Sequence, residues 1–454
     1  MDQTTHLNHV QKVILRLLIS GATSNLKKML SKMTTAEIVQ IFYHLRHSDQ
    51  MSILQVLSTI HRAGEVLAEF PDELARNLIS EFTDEKIAGM ITRISPDDAV
   101  DLLTYLPEER QQTILSTLDR EIRFELEKLL IFDRDTAGGL MTTEYAAVQE
   151  EYTVGETIQF LRKDYADRDL YTVYVLDESR HLLGTVPINT LVISGEDVPV
   201  RSIMVSDPIT ITPDMPSERV AALVSNYDLL AIPVVDADRK ILGVVTFDDV
   251  LDVLEEKATE DMYHLANLDK EERVFTPVSR SVRLRAGWLL INLCTAILAA
   301  LTVSLFRDTI QSYVALAVLM PIVAGMGGNA GSQSLTVVVR GLALGELTFS
   351  GGWKAVLKEV NVGFYNGLIH GTIMGLICYF WFKNPILSII MVLAMIATLT
   401  ISGLFGALVP IILRWFRKDP ALGSSIFVTT ATDVGGFFTF LGLASLAFRF
   451  FPPA

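Results

Sequence analysis

Asp433 lies in TTATDVGGFFTF, inside an apolar run, with no Lys or Arg within a helical turn or two of it. A carboxylate at that depth costs roughly 2.5–3.5 kcal/mol on insertion scales and is usually tied to a pathway or a partner. Thr429, Thr430 and Thr432 add oxygen atoms around it, and Gly435 and Gly436 permit close helix approach. Hard divalent cations want oxygen ligands, and Mg²⁺, which surrenders water reluctantly, prefers one or two carboxylates plus retained water. One Asp per subunit, doubled at a symmetric dimer interface, matches that preference. A proton relay would show a chain of ionisable groups, and none accompanies Asp433. The second informative segment is MPIVAGMGGNAGSQSLTVVVRG. Pro321 removes a helix hydrogen bond, and Gly325, Gly327, Gly328 and Gly331 weaken regular helix. Irregular backbone is therefore expected, of the kind that survives at membrane depth only beside protein or a water-filled cavity. Asn329 and Gln333 are four apart and share a face where the segment is helical. Third, DDVLDVLEEKATEDMYHLANLDKEER repeats acids at helical spacing: Asp249, Asp252, Glu256 and Glu260, with Glu255 and Asp261 alongside. Like charges so placed repel by roughly 0.2–0.5 kcal/mol per pair, a cost that a bound divalent cation lowers.

The chain that must position these groups has 454 residues, 53 of them acidic and 38 basic, and half are hydrophobic. Charge is segregated: residues 309–454 hold only eight Lys/Arg and four Asp/Glu, leaving 30 and 49 upstream. An acidic soluble part is thus joined to a nearly uncharged apolar part. Nucleic acid is a poor partner for the acidic part, because phosphate binding needs a basic surface; cations suit it. Cys294 and Cys378 both fall in apolar stretches, so no disulfide framework or thiolate metal site is implied. The polar start MDQTTHLNHVQK lacks a signal-peptide pattern, and the soluble part is expected to stay in the cytoplasm. Five runs have membrane-crossing length, roughly Ala286–Phe306, Tyr313–Val339, Val356–Phe382, Ile386–Leu413 and Leu422–Phe448. Arg280, Arg283 and Arg285, then Arg340, Lys354 and Lys358, then Arg414, Arg417 and Lys418 fall at alternate ends. That bias predicts an inside N-terminus and an outside C-terminus.

Upstream, residues 1–131 read as short amphipathic helices opened by Pro and acidic residues (FPDELARN, SPDDAVDLL, LPEERQQT), stacked like a small solenoid. Asp97, Asp98 and Asp101 form its densest acidic cluster. Residues 138–258 hold two related units of about 60 residues: a short helix ending in Met, an extended stretch, an amphipathic helix, then two β-branched strands around a polar turn. Gly184 and Gly243 are equivalent points. VDADRKILG lacks the twelve-residue calcium-loop pattern and reads as a hairpin turn. No Walker loop, nucleophile–base motif or metal-ligand His pair argues for an enzyme.

GGNAGSQS after Pro321, ATDVGG and the upstream soluble pattern together resemble the MgtE family of magnesium channels and transporters, over nearly the whole chain. The resemblance implies a multidomain membrane protein and a homodimer in the plasma (inner) membrane lipid. Its parts would be an α-helical superhelical cytoplasmic domain (1–131), an α/β CBS pair (132–200 and 201–254), a long connecting (plug) helix (255–276) and a five-helix transmembrane domain (277–454). It further implies magnesium-selective uptake, shut off by cytosolic Mg²⁺, along a path with Asp433 as ion ligand. Gly328, Asn329, Gln333 and Thr432 would support that path. Regulatory-cation contacts implied by the family are Asp98, Asp101, Glu218, Asp228, Asp249, Asp252, Glu260, Asp261 and Asp419; Glu255 and Glu256 join them from the acidic helix. The chain departs from the family at Ser425, where other members can carry Asn, and at Lys257, where an acid is usual. CBS pairs often bind adenosine nucleotides through an Asp opening the last helix. Asp248 and Asp249 stand there in the second unit but Asn189 in the first, which speaks against a nucleotide in the first. The alternative reading is a divalent-cation (Mg²⁺/Co²⁺) carrier regulated mainly by ATP.

Overall fold

The computed structural model describes residues 3–166, 170–274, 276–347 and 351–451, with side chains from residue 9 onward. It divides into two compact units, Met1–Glu255 and Glu256–Ala454.

In the first unit, ten mostly short helices run from α1 (Gln3–Ile19) to α10 (Arg120–Leu129). Their starts follow the expected chemistry. Thr34 closes a capping box with Glu37, and Ser95 caps α8 (Pro96–Thr104), which has Pro in its first turn. Pro71 precedes α6 (Asp72–Ile79), where Asp72 and Glu73 occupy the positive end of the helix. Leu54, Leu57, Leu67, Leu78 and Leu102 are fully buried and continuous with Val220, Ile232, Val245 and Val250, so the helices and the second repeat share one core.

The two repeats run α11 (Ala137–Leu140), β1 (Ala146–Gln149), α12 (Val154–Asp164), β2 (Thr172–Leu176), β3 (Leu182–Pro187), α13 (Ile188–Ile193), and then α14 (Val200–Ile203), β4 (Val205–Ser206), α15 (Ser217–Asn226), β5 (Ala231–Val235), β6 (Ile241–Thr246), α16 (Phe247–Leu265). β1 pairs with β2 in parallel, β2–β3 and β5–β6 are antiparallel, and β4 of the second repeat closes the first sheet against β3. The repeats exchange their leading segments. A Cβ on Gly184 would lie 2.7 Å from Met204 Sδ, and one on Gly243 would lie 2.7 Å from the Thr142 carbonyl and 3.0 Å from Met141. Each glycine thus admits the methionine that ends the other repeat's short helix. Asp236 Oδ1 accepts from the N–H groups of Asp238 and Lys240, which makes VDADRK the expected hairpin turn.

The second unit contains five long helices among the described residues: α17 (Val278–Ser304), α19 (Val314–Ala343), α20 (Gly352–Phe382), α21 (Pro385–Trp415) and α22 (Ser424–Phe450), with the short α18 (Arg307–Ser312) between the first two. All are long enough to cross a bilayer at about 1.5 Å per residue. Four, all except α20, also contain an 18-residue stretch apolar enough to do so; α20 is diluted by Lys354, Lys358, Glu359, Asn366 and His370. The irregular backbone expected around Pro321 does not occur: α19 is one helix of 30 residues. Its glycines are used for contact instead. A Cβ on Gly327 would meet Thr398 at 2.8 Å, and one on Gly331 would meet Val428 at 2.7 Å.

α20 and α21 pack even more closely, through Gly363, Gly367, Gly371 and Gly375, which repeat every four residues along one face. A Cβ on Gly363 would lie 2.2 Å from the Leu399 carbonyl and one on Gly367 would lie 2.6 Å from Ile396 Cα. Backbone cannot step aside as a flexible side chain can. Gly367→Val is therefore expected to destabilise the bundle by at least about 1–3 kcal/mol, the usual range for overpacking. Gly328→Ala, whose Cβ would meet nothing within 4 Å, should leave thermal melting in detergent unchanged; equal melting temperatures for the two variants would contradict this packing.

Candidate cation site and acidic surface

Three helices of the second unit converge on a kernel of buried hydroxyls. Thr398, Ser402 and Thr432 are all 0% exposed. Gly327 and Gly331 of α19, Gly406 of α21 and Gly436 of α22 let them approach. The Ser402 hydroxyl donates to the Gly327 carbonyl at 2.8 Å, tying α21 to α19. At the helix ends, Arg414 Nη1 donates to the Leu342 carbonyl at 2.7 Å, capping the last turn of α19. Thr432 is the link to the carboxylate: its methyl would touch a Cβ on Gly331 at 3.2 Å, and Asp433, next in sequence, is half-buried. Among the described residues no basic side chain forms an ion pair with Asp433. Of the residues read from sequence, Thr432 is thus packed against the glycines of α19, and Asp433 follows it in the chain. Asn329 and Gln333 lie instead on its exposed side with Ser332 and Thr336, while a Cβ on Gly328 would meet open space. A polar stripe remains uncovered on a membrane-length helix.

Sequence reading passed over Thr398, Ser402 and Glu359. Glu359, in the second turn of α20, is 3% exposed. Its Oε2 accepts from Ser334 Oγ of α19 at 2.7 Å, and its Oε1 from Lys358 Nζ at 2.5 Å. The available signal was a Lys-Glu pair one turn ahead of a glycine every fourth residue.

In the first unit, the acidic residues of α8 face those that open α16. Burial, then the charge of Asp97, with Asp101 and Glu69 adding, pushes Asp98 up to about 7. Asp249 is pushed up to about 8 by burial, then by Asp97, Asp248 and Asp98, although Thr246 Oγ1 donates to it at 2.5 Å. Asp97 is raised chiefly by burial, and its Oδ1 is buried without a hydrogen-bond partner. Asp252 is raised by burial, then by Glu255 and Asp248; Glu69 is raised by burial, then by Asp252 and Asp248. Asp101 is only partly in this group, because Arg134 Nε donates to its Oδ1 at 2.9 Å and Arg134 Nη1 reaches Asp72 at 3.1 Å. Glu69 was not singled out from sequence, because its partners are about 180 residues away. The donor set fits a hard divalent ion, being carboxylate oxygens with one oxygen already stripped of partners. Among the described residues no three such side chains converge tightly enough to enclose a metal. Glu218 and Asp228 are exposed, Asp228 in a left-handed backbone conformation (φ 51°).

The second unit treats its acids differently. Lys257 Nζ lies 3.1 Å from Glu260 and 3.7 Å from Asp261. His264 Nδ1 lies 2.9 Å from Asp419 Oδ2, in the connection between α21 and α22. Asn267 Nδ2 donates to Ser425 Oγ at 2.6 Å. The end of α16 is thereby held beside the first turn of α22. Glu256 is exposed.

Three family models match this chain: one described as a divalent cation transporter over residues 320–443, the MgtE intracellular N domain over 33–135, and the CBS domain over 200–256. The magnesium transporter MgtE of Thermus thermophilus is 35% identical over 340 residues, which span 74% of this chain and 75% of that protein. The magnesium transporter MgtE of Enterococcus faecalis is 32% identical over 329 residues, 72% of each chain. Two solved structures are similar to a little over half of this chain, each with a TM-score of 0.51. One is the soluble part of a magnesium transporter, 27% identical, covering 56% of this chain and 99% of that one. The other is the cytosolic domain of the Mg²⁺ channel MgtE in complex with ATP, 31% identical, covering 54% and 99%. With the helical domain, the CBS fold and the glycine-packed apolar bundle in place, the chain belongs to the MgtE family of divalent cation transporters, as a multi-pass membrane protein and not an enzyme.

Proposed function

We propose that this chain carries magnesium into the cell as a homodimer and is closed by the same ion on its cytoplasmic side. The observation that carries the reading is Asp433, a half-buried carboxylate in a membrane-length helix, unpaired among the described residues and set beside buried hydroxyls. An uncompensated charge at that depth is favourable only where a cation or water meets it. The uncovered polar stripe of Asn329, Ser332, Gln333 and Thr336 supports a second copy or an aqueous lumen on that side of α19. Two Asp433 carboxylates across a two-fold axis would hold a Mg²⁺ that keeps most of its water. Entry follows the inside-negative potential, about 2.3 kcal/mol per charge per 100 mV. The basic residues at alternate span ends support an inside N-terminus.

Regulation rests on the acidic surface of α8 and α16. With Mg²⁺ scarce, Asp97, Asp98, Asp248, Asp249 and Asp252 repel and the cytoplasmic part loosens. With Mg²⁺ plentiful, the ion bridges them and the compact, closed form gains. Swinging a population from 1:99 to 99:1 takes about 5.5 kcal/mol of differential affinity, which several weak sites supply together more easily than one. Glu218, Asp228, Glu255, Glu256, Glu260, Asp261 and Asp419 are the further contacts proposed. ATP, which a similar structure contains, is proposed as a secondary ligand of the CBS pair.

In Mg²⁺ flux into proteoliposomes, Asp433→Ala should abolish uptake, and undiminished uptake would refute the path. Asp252→Ala should transport normally at low Mg²⁺ and close less completely at high Mg²⁺. The acidic surface also sets a pH dependence. The folded values of about 7 and about 8 for Asp98 and Asp249 lie above the ordinary 3.8. Between those limits the unfolded chain is ionised while the folded one resists ionisation, so metal-free stability should fall as pH rises from about 4 and level off above about 8. Melting of the full chain in detergent with a chelator tests this. Asp249→Asn should flatten the slope, and Mg²⁺ should raise the melting temperature more at pH 8 than at pH 5.

A further inference from the structure

Glu359 has no part in the path as described, yet it is among the most deeply buried charged side chains of the bundle. It stands one turn before Gly363, so it continues the face of Gly363, Gly367, Gly371 and Gly375 that lies against α21. Gly403 of α21 admits it: a Cβ there would lie 2.3 Å from the Glu359 carbonyl. The side chain then leaves that face and reaches Ser334 of α19 at 2.7 Å, while Lys358, about 60% exposed as a side chain, folds back to neutralise it at 2.5 Å. Ser334 is itself buried, and a Cβ on Gly406 would touch Ser334 Cβ at 2.7 Å. One turn earlier on α19 stands Gly331, against which Thr432 packs, and Asp433 follows Thr432. A continuous series of contacts therefore runs from the Glu359 carboxylate through Ser334, Gly331 and Thr432 to the residue that bears the path carboxylate. A cavity of about 180 Å³ adjoins it, lined in part by Gln333, Ser334, Glu359 and Asn366, so Gln333 of the uncovered stripe borders the same node.

We propose that Glu359 is a positioning residue for cation transport: by bonding Ser334 it fixes the depth and rotation of α19, and thereby the setting of Asp433 and of the Asn329–Gln333 stripe. A hydrocarbon-facing surface offers α19 no water to replace that bond, so its axial position is set by the few polar partners it has. Small displacements of a coordinating group are costly in rate and affinity even when they originate far from it. The inference rests on the reading of Asp433 as the cation ligand.

The test is Mg²⁺ flux in proteoliposomes for Glu359→Ala, Glu359→Gln, Ser334→Ala and Asp433→Ala, with the amount of folded protein matched by melting and size exclusion. Glu359→Ala should raise the half-saturating Mg²⁺ concentration by about tenfold. Glu359→Gln still accepts from Ser334 and should stay within about threefold of the parent. Ser334→Ala removes the same bond without emptying the α20 site, and should shift half-saturation in the same direction as Glu359→Ala; it carries the test if Glu359→Ala does not fold. Parental half-saturation in Ser334→Ala, or a Gln variant as impaired as the Ala variant, would overturn the proposal. If Asp433→Ala is inactive while Glu359→Ala and Ser334→Ala transport like the parent, only this inference fails. Uptake surviving in Asp433→Ala removes the path reading itself.

Discussion

Hydrocarbon gives a charge nothing to bond with, and the helix bundle is organised around that constraint. Two carboxylates sit in its long helices and receive opposite treatment. Glu359 is closed in, with a lysine on one oxygen and a serine on the other. Such a pair contributes little net stability, because desolvation offsets most of the attraction, but breaking it leaves a buried charge. It therefore serves as a fixed point. Asp433 has no such closure among the described residues and is half-buried. A group left open in this way suits an ion in transit, which must bind strongly enough to enter and weakly enough to leave.

The same constraint explains why glycine is used so heavily. Lipid tails are as apolar as leucine, so helices gain little by hiding leucines from them and associate through close packing and hydrogen bonds. Several glycines on shared faces remove a Cβ that would strike backbone, Gly363 against Leu399, Gly403 against Glu359 and Gly406 against Gly331, and others, such as Gly327 and Gly331, make room for a neighbour's side chain. The close approach is what brings Ser402 to the Gly327 carbonyl and Ser334 to Glu359. Glycine and hydroxyl positions thus depend on each other.

This dependence sets what could be read from the chain alone. Span lengths, the segregation of charge and the exposure of Asp433 to a polar neighbourhood are local properties, and they were legible. The state of α19 was not. Pro321 and four glycines each disfavour helix, by about 1 kcal/mol for a glycine, and a local reading sums those penalties into a break. Packing against Thr398, Val428 and Thr432 outweighs them, but those partners lie about 70 to 105 residues away. The CBS repeats were legible as a pair because both carry one pattern. For the same reason their exchange was not, since Met141 and Met204 are interchangeable in pattern and only the fold assigns each to the other's glycine. Glu359 was missed because a charge next to Lys358 at a span end counts toward orientation before it counts toward structure. The acidic spacing of α16 was plain, whereas Glu69 and Asp97, which supply much of the repulsion on it, become neighbours only in the folded chain.

Helix α16 combines both treatments along its length. Its opening residues, Asp248, Asp249 and Asp252, meet further acids of their own unit, and the shifts of Asp249 and Asp252 record burial together with unrelieved repulsion. Its closing residues, Glu260 and Asp261, have Lys257 within 4 Å, and His264 pairs with Asp419. A divalent ion arriving at the first half relieves repulsion that is already present; at the second half it must displace partners that offset the charge. The Lys257 pairs are only partly buried; surface pairs contribute about 0–1 kcal/mol each, so pairs of this kind do not lock the helix end, but they lower what an ion can gain there. Unrelieved repulsion is therefore concentrated at the start of α16, whereas the residues at and just beyond its end are tied to Asp419 and to Ser425 in the first turn of α22.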